Sequence, residues 1–137
     1  MSFLSCSRAN SQCRPIKILC MEDDPGLARL LQKKLDRIGF KVDIAEDGEV
    51  GLTKARTNDY SVLLIDHKMP VYSGIEVLKI LKEENIETPT IMITGSGNEQ
   101  IAVDALKYGA RDYLVKDVNG RYLKLLPSVI EKVLHHH

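Results

Sequence analysis

From Ile16 to Leu134 the chain alternates short β-branched or aliphatic runs with longer stretches whose apolar residues recur every three or four positions. Such alternation predicts βα units: parallel strands in one sheet, with the connecting helices covering both faces. The runs place strands at 16–21, 41–45, 60–65, 90–93 and 112–115. Leu27, Leu30, Leu31, Leu35 and Ile38 form the apolar stripe of the first helix, with Asp24 and Pro25 as its cap and first turn and Gly39 as its stop. Further helices are expected at 48–57, 74–84 and 98–108. A last one carries the stripe Leu123, Leu126, Val129, Ile130 and Val133, and either begins just before Pro127 or kinks there.

Right-handed crossovers leave few ways to join five parallel strands. The leading choice is a flavodoxin-like (βα)5 α/β sandwich, doubly wound, with strand order 2-1-3-4-5. In that order the first and third strands are neighbours, and ligands bind in the crevice beyond their C-terminal ends. Asp23 follows the first strand and Asp66 the third, so the topology brings together two acids distant in sequence.

With 137 residues, 44% of them hydrophobic, there is material for one domain of ordinary core size and not for a second. Nineteen basic residues balance nineteen acidic ones, which gives no overall charge to attract nucleic acid or an anionic membrane. No apolar run approaches the length of a membrane span. Cys6, Cys13 and Cys20 are odd in number and show no paired spacing, so neither a disulfide framework nor a zinc site is expected, and a reducing cytoplasm is the expected location. Residues 1–14 read as a flexible leader, 15–134 as the folded domain, and 135–137 as the remnant of a purification tag.

The chemistry lies at the strand ends. Glu22, Asp23 and Asp66 would repel one another once gathered, and a hard divalent cation such as magnesium or manganese is the usual counterweight for clustered oxygen ligands. Magnesium held by few carboxylates keeps several waters and takes phosphate oxygens as further ligands, which implies a phosphorylated substrate or protein. A carboxylate can itself attack a phosphoryl donor if nearby positive charge offsets what develops. Lys116 offers that charge and Thr94 a hydroxyl donor, while Gly95, Ser96 and Gly97 leave the following loop free to move.

Each residue alone has a plainer explanation. Acids after the first strand suit a helix N-terminus, Asp66 suits a turn before Pro70, Thr94 and Tyr113 suit strand positions, and Lys116 suits a solvated surface. His67 is expected to face away from Asp66, since adjacent strand residues point to opposite sides. The joint spacing outweighs these separate readings. A nucleotide-binding domain of the same topology would need a glycine-rich loop after the first strand, where the chain has Glu22-Asp23-Asp24.

The ordered set Glu22-Asp23-Asp24-Pro25, Asp66-His67-Lys68-Met69-Pro70 with Gly74, Thr94-Gly95, and Asp112-Tyr113-Leu114-Val115-Lys116 resembles the receiver domain of bacterial two-component response regulators. The resemblance implies that Asp66 is the phosphoacceptor, served by a sensor histidine kinase or phosphotransfer protein. It implies that magnesium or manganese is held by Glu22, Asp23, Asp66 and the backbone carbonyl of Lys68. Thr94, Gly95 and Lys116 would then receive the phosphoryl group, and Tyr113 would switch rotamer with it. The Lys68 side chain at the mouth would influence how water attacks the acyl phosphate.

By the same resemblance the domain is no conventional enzyme: it catalyses its own phosphorylation and slow dephosphorylation. The surface from the fourth helix through the fifth strand and helix, about Asn98 to Leu134, would carry the signal to an effector, an attached output domain or a second copy in a phosphorylation-dependent homodimer. A pseudoreceiver, keeping the fold as a constitutive interaction module, is the alternative. One position departs from the pattern: where proline usually follows the lysine, this chain has Asp117.

Overall fold

The computed structural model describes residues 15–95 and 99–135. The strands are β1 (Lys17–Met21), β2 (Lys41–Ala45), β3 (Val62–Asp66), β4 (Thr90–Gly95) and β5 (Asp112–Lys116). They alternate with helices α1 (Pro25–Ile38), α2 (Gly48–Thr57), α3 (Gly74–Glu83), α4 (Glu99–Lys107) and α5 (Arg121–His135). All pairings are parallel, in the order β2-β1-β3-β4-β5. The expected doubly wound architecture is therefore observed. The expected leader 1–14, with Cys6 and Cys13, the loop residues Ser96 and Gly97, and Asn98 lie outside the described residues, as do His136 and His137.

Strand alternation divides the core in two. Ile18, Cys20, Val62, Leu64, Ile91, Ile93 and Leu114 pack under α1 and α5, against Leu31, Leu35, Leu126 and Ile130. Leu19, Met21, Leu63, Ile65 and Met92 face the other way, against Leu52, Val77, Leu78 and Ala105 of α2, α3 and α4. β3 is buried along its whole length because it sits at the centre of the sheet.

Local chemistry sets the helix ends. The Asp24 carboxylate accepts from the amides of Gly26 (3.0 Å) and Leu27 (3.2 Å), and Gly39 ends α1 at φ 117°. Ser73 and Glu76 exchange hydrogen bonds in a capping box that starts α3. Two expectations are revised. Leu30 leaves the α1 stripe and is 46% exposed. Helix α5 begins at Arg121, six residues before Pro127, and runs through it; the proline has no N–H for the Leu123 carbonyl, so packing of Tyr122, Leu126, Ile130 and Val133 must carry that turn.

Val71, in the loop between β3 and α3, has φ 71° and is 61% exposed. A β-branched residue in the left-handed region is strained by about 1 to 2 kcal/mol, whereas Asn visits it readily. Val71→Asn should raise stability by about 1 kcal/mol, read as a higher urea midpoint at unchanged slope; an unchanged or lower midpoint would refute the strain.

Candidate functional site

Parallel strands deliver their C-terminal ends to one edge, and alternation decides which side chains meet there. Cys20 on β1, Leu64 and Asp66 on β3, and Leu114 and Lys116 on β5 share the face beneath α1 and α5. Glu22, two residues beyond Cys20, continues the same side. Glu22, Asp23 and Asp66 each present a carboxylate oxygen within 4.8 Å of the others. Glu22 and Asp66 are only 2% and 6% exposed, whereas Asp23 lies open to solvent.

Lys116 Nζ lies 2.9 Å from Glu22 Oε1 and 3.2 Å from Asp66 Oδ1. One ammonium thus serves two buried carboxylates, with a third beside them. Burial raises the Glu22 carboxyl to about 7, partly opposed by its hydrogen bond from Lys116, while the neighbouring Asp66 charge adds to the rise. Asp66 is also raised, by burial first, with Lys116 pulling it back. Burial works to lower the Lys116 ammonium, but its bond to Glu22 and the charge of Asp66 prevail and raise it. Directly below, burial pushes the Cys20 thiol up to about 12, with Glu22 and Asp66 adding to the effect. The pocket therefore has an excess of buried negative charge, a condition that favours a bound cation.

Thr94 is next to last in β4, one residue past Ile93, which pairs with Asp66. Its hydroxyl is buried and has no hydrogen-bond partner among the described residues. Gly95 pairs with Lys116 in register. Tyr113 pairs with Met92, on the opposite face of the sheet from Lys116, and is 38% exposed. Lys68 is exposed and borders, with Asp23, His67, Met69, Pro70 and Ser73, an open hollow of about 460 Å³. His67 is half-buried at this hollow, and its Nδ1 is enclosed and without a partner among the described residues.

A larger hollow of about 600 Å³ lies at the opposite end of the sheet, near the start of β4, between Leu78, Leu81, Ile86, Thr88, Tyr108 and Arg111. It holds none of the clustered acids, whereas Asp23 lines the smaller one.

The model of the response regulator receiver domain family matches residues 18–126. The chain belongs to that family. The response regulator ArlR of Staphylococcus saprophyticus is 40% identical over 100 residues, which are 73% of this chain and 45% of that protein. This chain thus spans about half the length of the curated relatives it matches. The receiver domain of Francisella response regulator 1452 superposes with a TM-score of 0.80 at 31% identity, covering 89% of this chain and 98% of that one. The response regulator TrrA of Thermotoga maritima, solved in complex with Mg(2+)-BeF, superposes with a TM-score of 0.71 at 28% identity, covering 83% of this chain and 97% of that one. This receiver has, among the described residues, no helix long and apolar enough to cross a membrane.

Two features of the receiver's site were not read from sequence. One is Asp117, whose Oδ1 accepts from the Tyr122 amide at 3.1 Å; an acid five residues ahead of a helical amide has no standard capping spacing. The other is the closeness of Gly74 to the site. A Cβ on Gly74 would stand 2.9 Å from the Asp66 carbonyl oxygen, the His67 Cα and the Met92 Cε. Its amide also bonds the His67 carbonyl at 2.8 Å. Gly74→Ala should cost about 1 to 3 kcal/mol, because two of the three clashes are with backbone that cannot swing aside. A urea midpoint equal to wild type would show that the loop yields freely.

Proposed function

We propose that this receiver takes a phosphoryl group onto Asp66 from a phosphohistidine of a sensor kinase or phosphotransfer protein, and that residues 15–134 are the unit that does so. The observation that carries this reading is the Lys116 ammonium held at 2.9 Å from Glu22 and 3.2 Å from Asp66, beside a third carboxylate. In the transfer an Asp66 carboxylate oxygen attacks phosphorus, a P–O bond forms and the P–N bond breaks, and the leaving imidazole recovers a proton from solvent. Lys116 offsets charge on the transferred oxygens. Magnesium, or manganese, would be held by Glu22, Asp23, Asp66 and the Lys68 carbonyl, and when bound would neutralise the phosphoryl oxygens. The similarity to TrrA, solved with Mg(2+)-BeF, supports binding of magnesium together with a phosphoryl group by this receiver.

Thr94 would donate its hydroxyl, which has no partner among the described residues, to the new acceptor oxygens, with Gly95 giving the loop room, and Tyr113 would move with it. Helix α4 buries only Ala102 and Ala105, while Val103 and Leu106 are 58% and 47% exposed, so little packing resists its displacement. Together with exposed Tyr113, Val115 and Leu125 it forms the surface on which an effector, an output domain or a second copy would read the switch.

The test is incubation with a small phosphodonor, with and without magnesium. A single acid-stable, base-labile phosphoryl adduct that requires magnesium is expected, together with a beryllofluoride-dependent shift in the NMR signals of Thr94 and Tyr113. Absence of both would favour a pseudoreceiver.

A further inference from the structure

Lys116 closes β5, which lies at the edge of the sheet and among the described residues pairs with β4 alone, so its backbone is held there from one side. Its ammonium must nevertheless stay within reach of Glu22 and Asp66. The segment from Asp117 to Leu123 supplies the missing restraint. The Asp117 carbonyl accepts from the Gly120 amide at 3.1 Å, the Gly120 carbonyl accepts from the Leu123 amide at 3.1 Å, and Gly120 turns the chain at φ 69°. Gly120 precedes α5 but has no side chain to cap it. The Asp117 carboxylate does so instead, at 3.1 Å from the Tyr122 amide, where the helix dipole favours negative charge.

Tyr122 anchors the other end of this ring. It is 6% exposed and belongs to the cluster of Ile18, Cys20 and Leu114, the layer directly under the acid pocket. Burial raises its phenol, and the charges of Lys116, Glu22, Asp66 and Asp117 all act on it, which places it electrostatically beside the site. No cis peptide bond occurs among the described residues, so the link from Lys116 to Asp117 is trans.

We propose that Asp117 is a positioning residue: its carboxylate clasps the first turn of α5 at Tyr122 and thereby holds Lys116 over Asp66 for phosphoryl binding. This rests on the phosphoacceptor reading.

The experiment measures beryllofluoride affinity in magnesium, and magnesium affinity alone, by calorimetry. Asp117→Ala should weaken beryllofluoride binding about tenfold and change magnesium affinity by less than about twofold. Asp117→Asn, which keeps an acceptor oxygen for the Tyr122 amide, should restore it. In a Lys116→Ala background, Asp117→Ala should cause no further loss. Equal losses with and without Lys116, or an Asp117→Ala protein that binds beryllofluoride like wild type, would overturn the proposal. If Asp117→Ala fails to fold, Asp117→Glu, whose carboxylate is displaced by one methylene, has the same expected tenfold loss, and wild-type binding by it would overturn the proposal. A wild-type protein that binds magnesium but not beryllofluoride would instead refute the phosphoacceptor reading beneath it.

Discussion

Asp66→Asn is expected to lower phosphoryl uptake from a small phosphodonor in magnesium by at least about a thousandfold, with the fold intact. Asn has nearly the volume of Asp, so the buried end of β3 keeps its packing and its pairing with β4. What disappears is the anionic oxygen that attacks phosphorus, since an amide oxygen is neutral and its electrons are shared with nitrogen. Lys116 retains Glu22 at 2.9 Å. Because the cluster of three carboxylates loses one charge while Lys116 keeps its bond to Glu22, stability without metal should be no lower than wild type. Intact-mass spectrometry follows the adduct and urea unfolding follows the fold. An Asp66→Asn protein phosphorylated to the wild-type extent would move the acceptor elsewhere, with exposed Asp23 the next carboxylate in reach.

The architecture was legible because two periodicities alternate along the chain, and because Asp24-Pro25 and Gly39 bracket α1 with the residues that helix ends require. Topology then followed from crossover handedness, and with it the meeting of Asp23 and Asp66. What sequence left unread depends on three-dimensional packing. Leu30 fits the α1 stripe by spacing, yet it is 46% exposed. Pro127 carries a strong local signal against helix, and the buried face of α5 overrides it. Val71 holds a backbone angle that its side chain disfavours, in a tight turn closed by the Tyr72 amide, which donates to the Pro70 carbonyl at 2.8 Å. Type and order singled out Glu22, Asp66 and Lys116 as candidates, but the bond between Glu22 and Lys116 joins residues 94 apart, and only the fold determines which carboxylate the lysine meets.

That sharing of one lysine has a consequence for stability. In the unfolded chain Glu22 loses its proton near 4.5, whereas in the fold burial raises it to about 7. A raised carboxyl binds its proton more tightly in the native state, so its contribution is fully present below about 4.5 and is lost as pH rises through about 7. The metal-free receiver should therefore lose up to about 3 kcal/mol between pH 5 and pH 8, with Asp66, shifted in the same direction, adding to the trend. Magnesium and protons compete for the same oxygens. Magnesium should accordingly raise the unfolding midpoint strongly at pH 8 and little at pH 5, the gain being about 2.7 kcal/mol at a hundredfold excess over Kd. Glu22→Gln should flatten the metal-free pH profile, because the titrating group is gone while Lys116 still faces Asp66 at 3.2 Å. Thermal unfolding across this range, with and without magnesium, decides the matter. Metal-free stability that rises from pH 5 to pH 8, or a magnesium effect larger at pH 5, would mean that Lys116 already balances the pocket and that no cation is needed there.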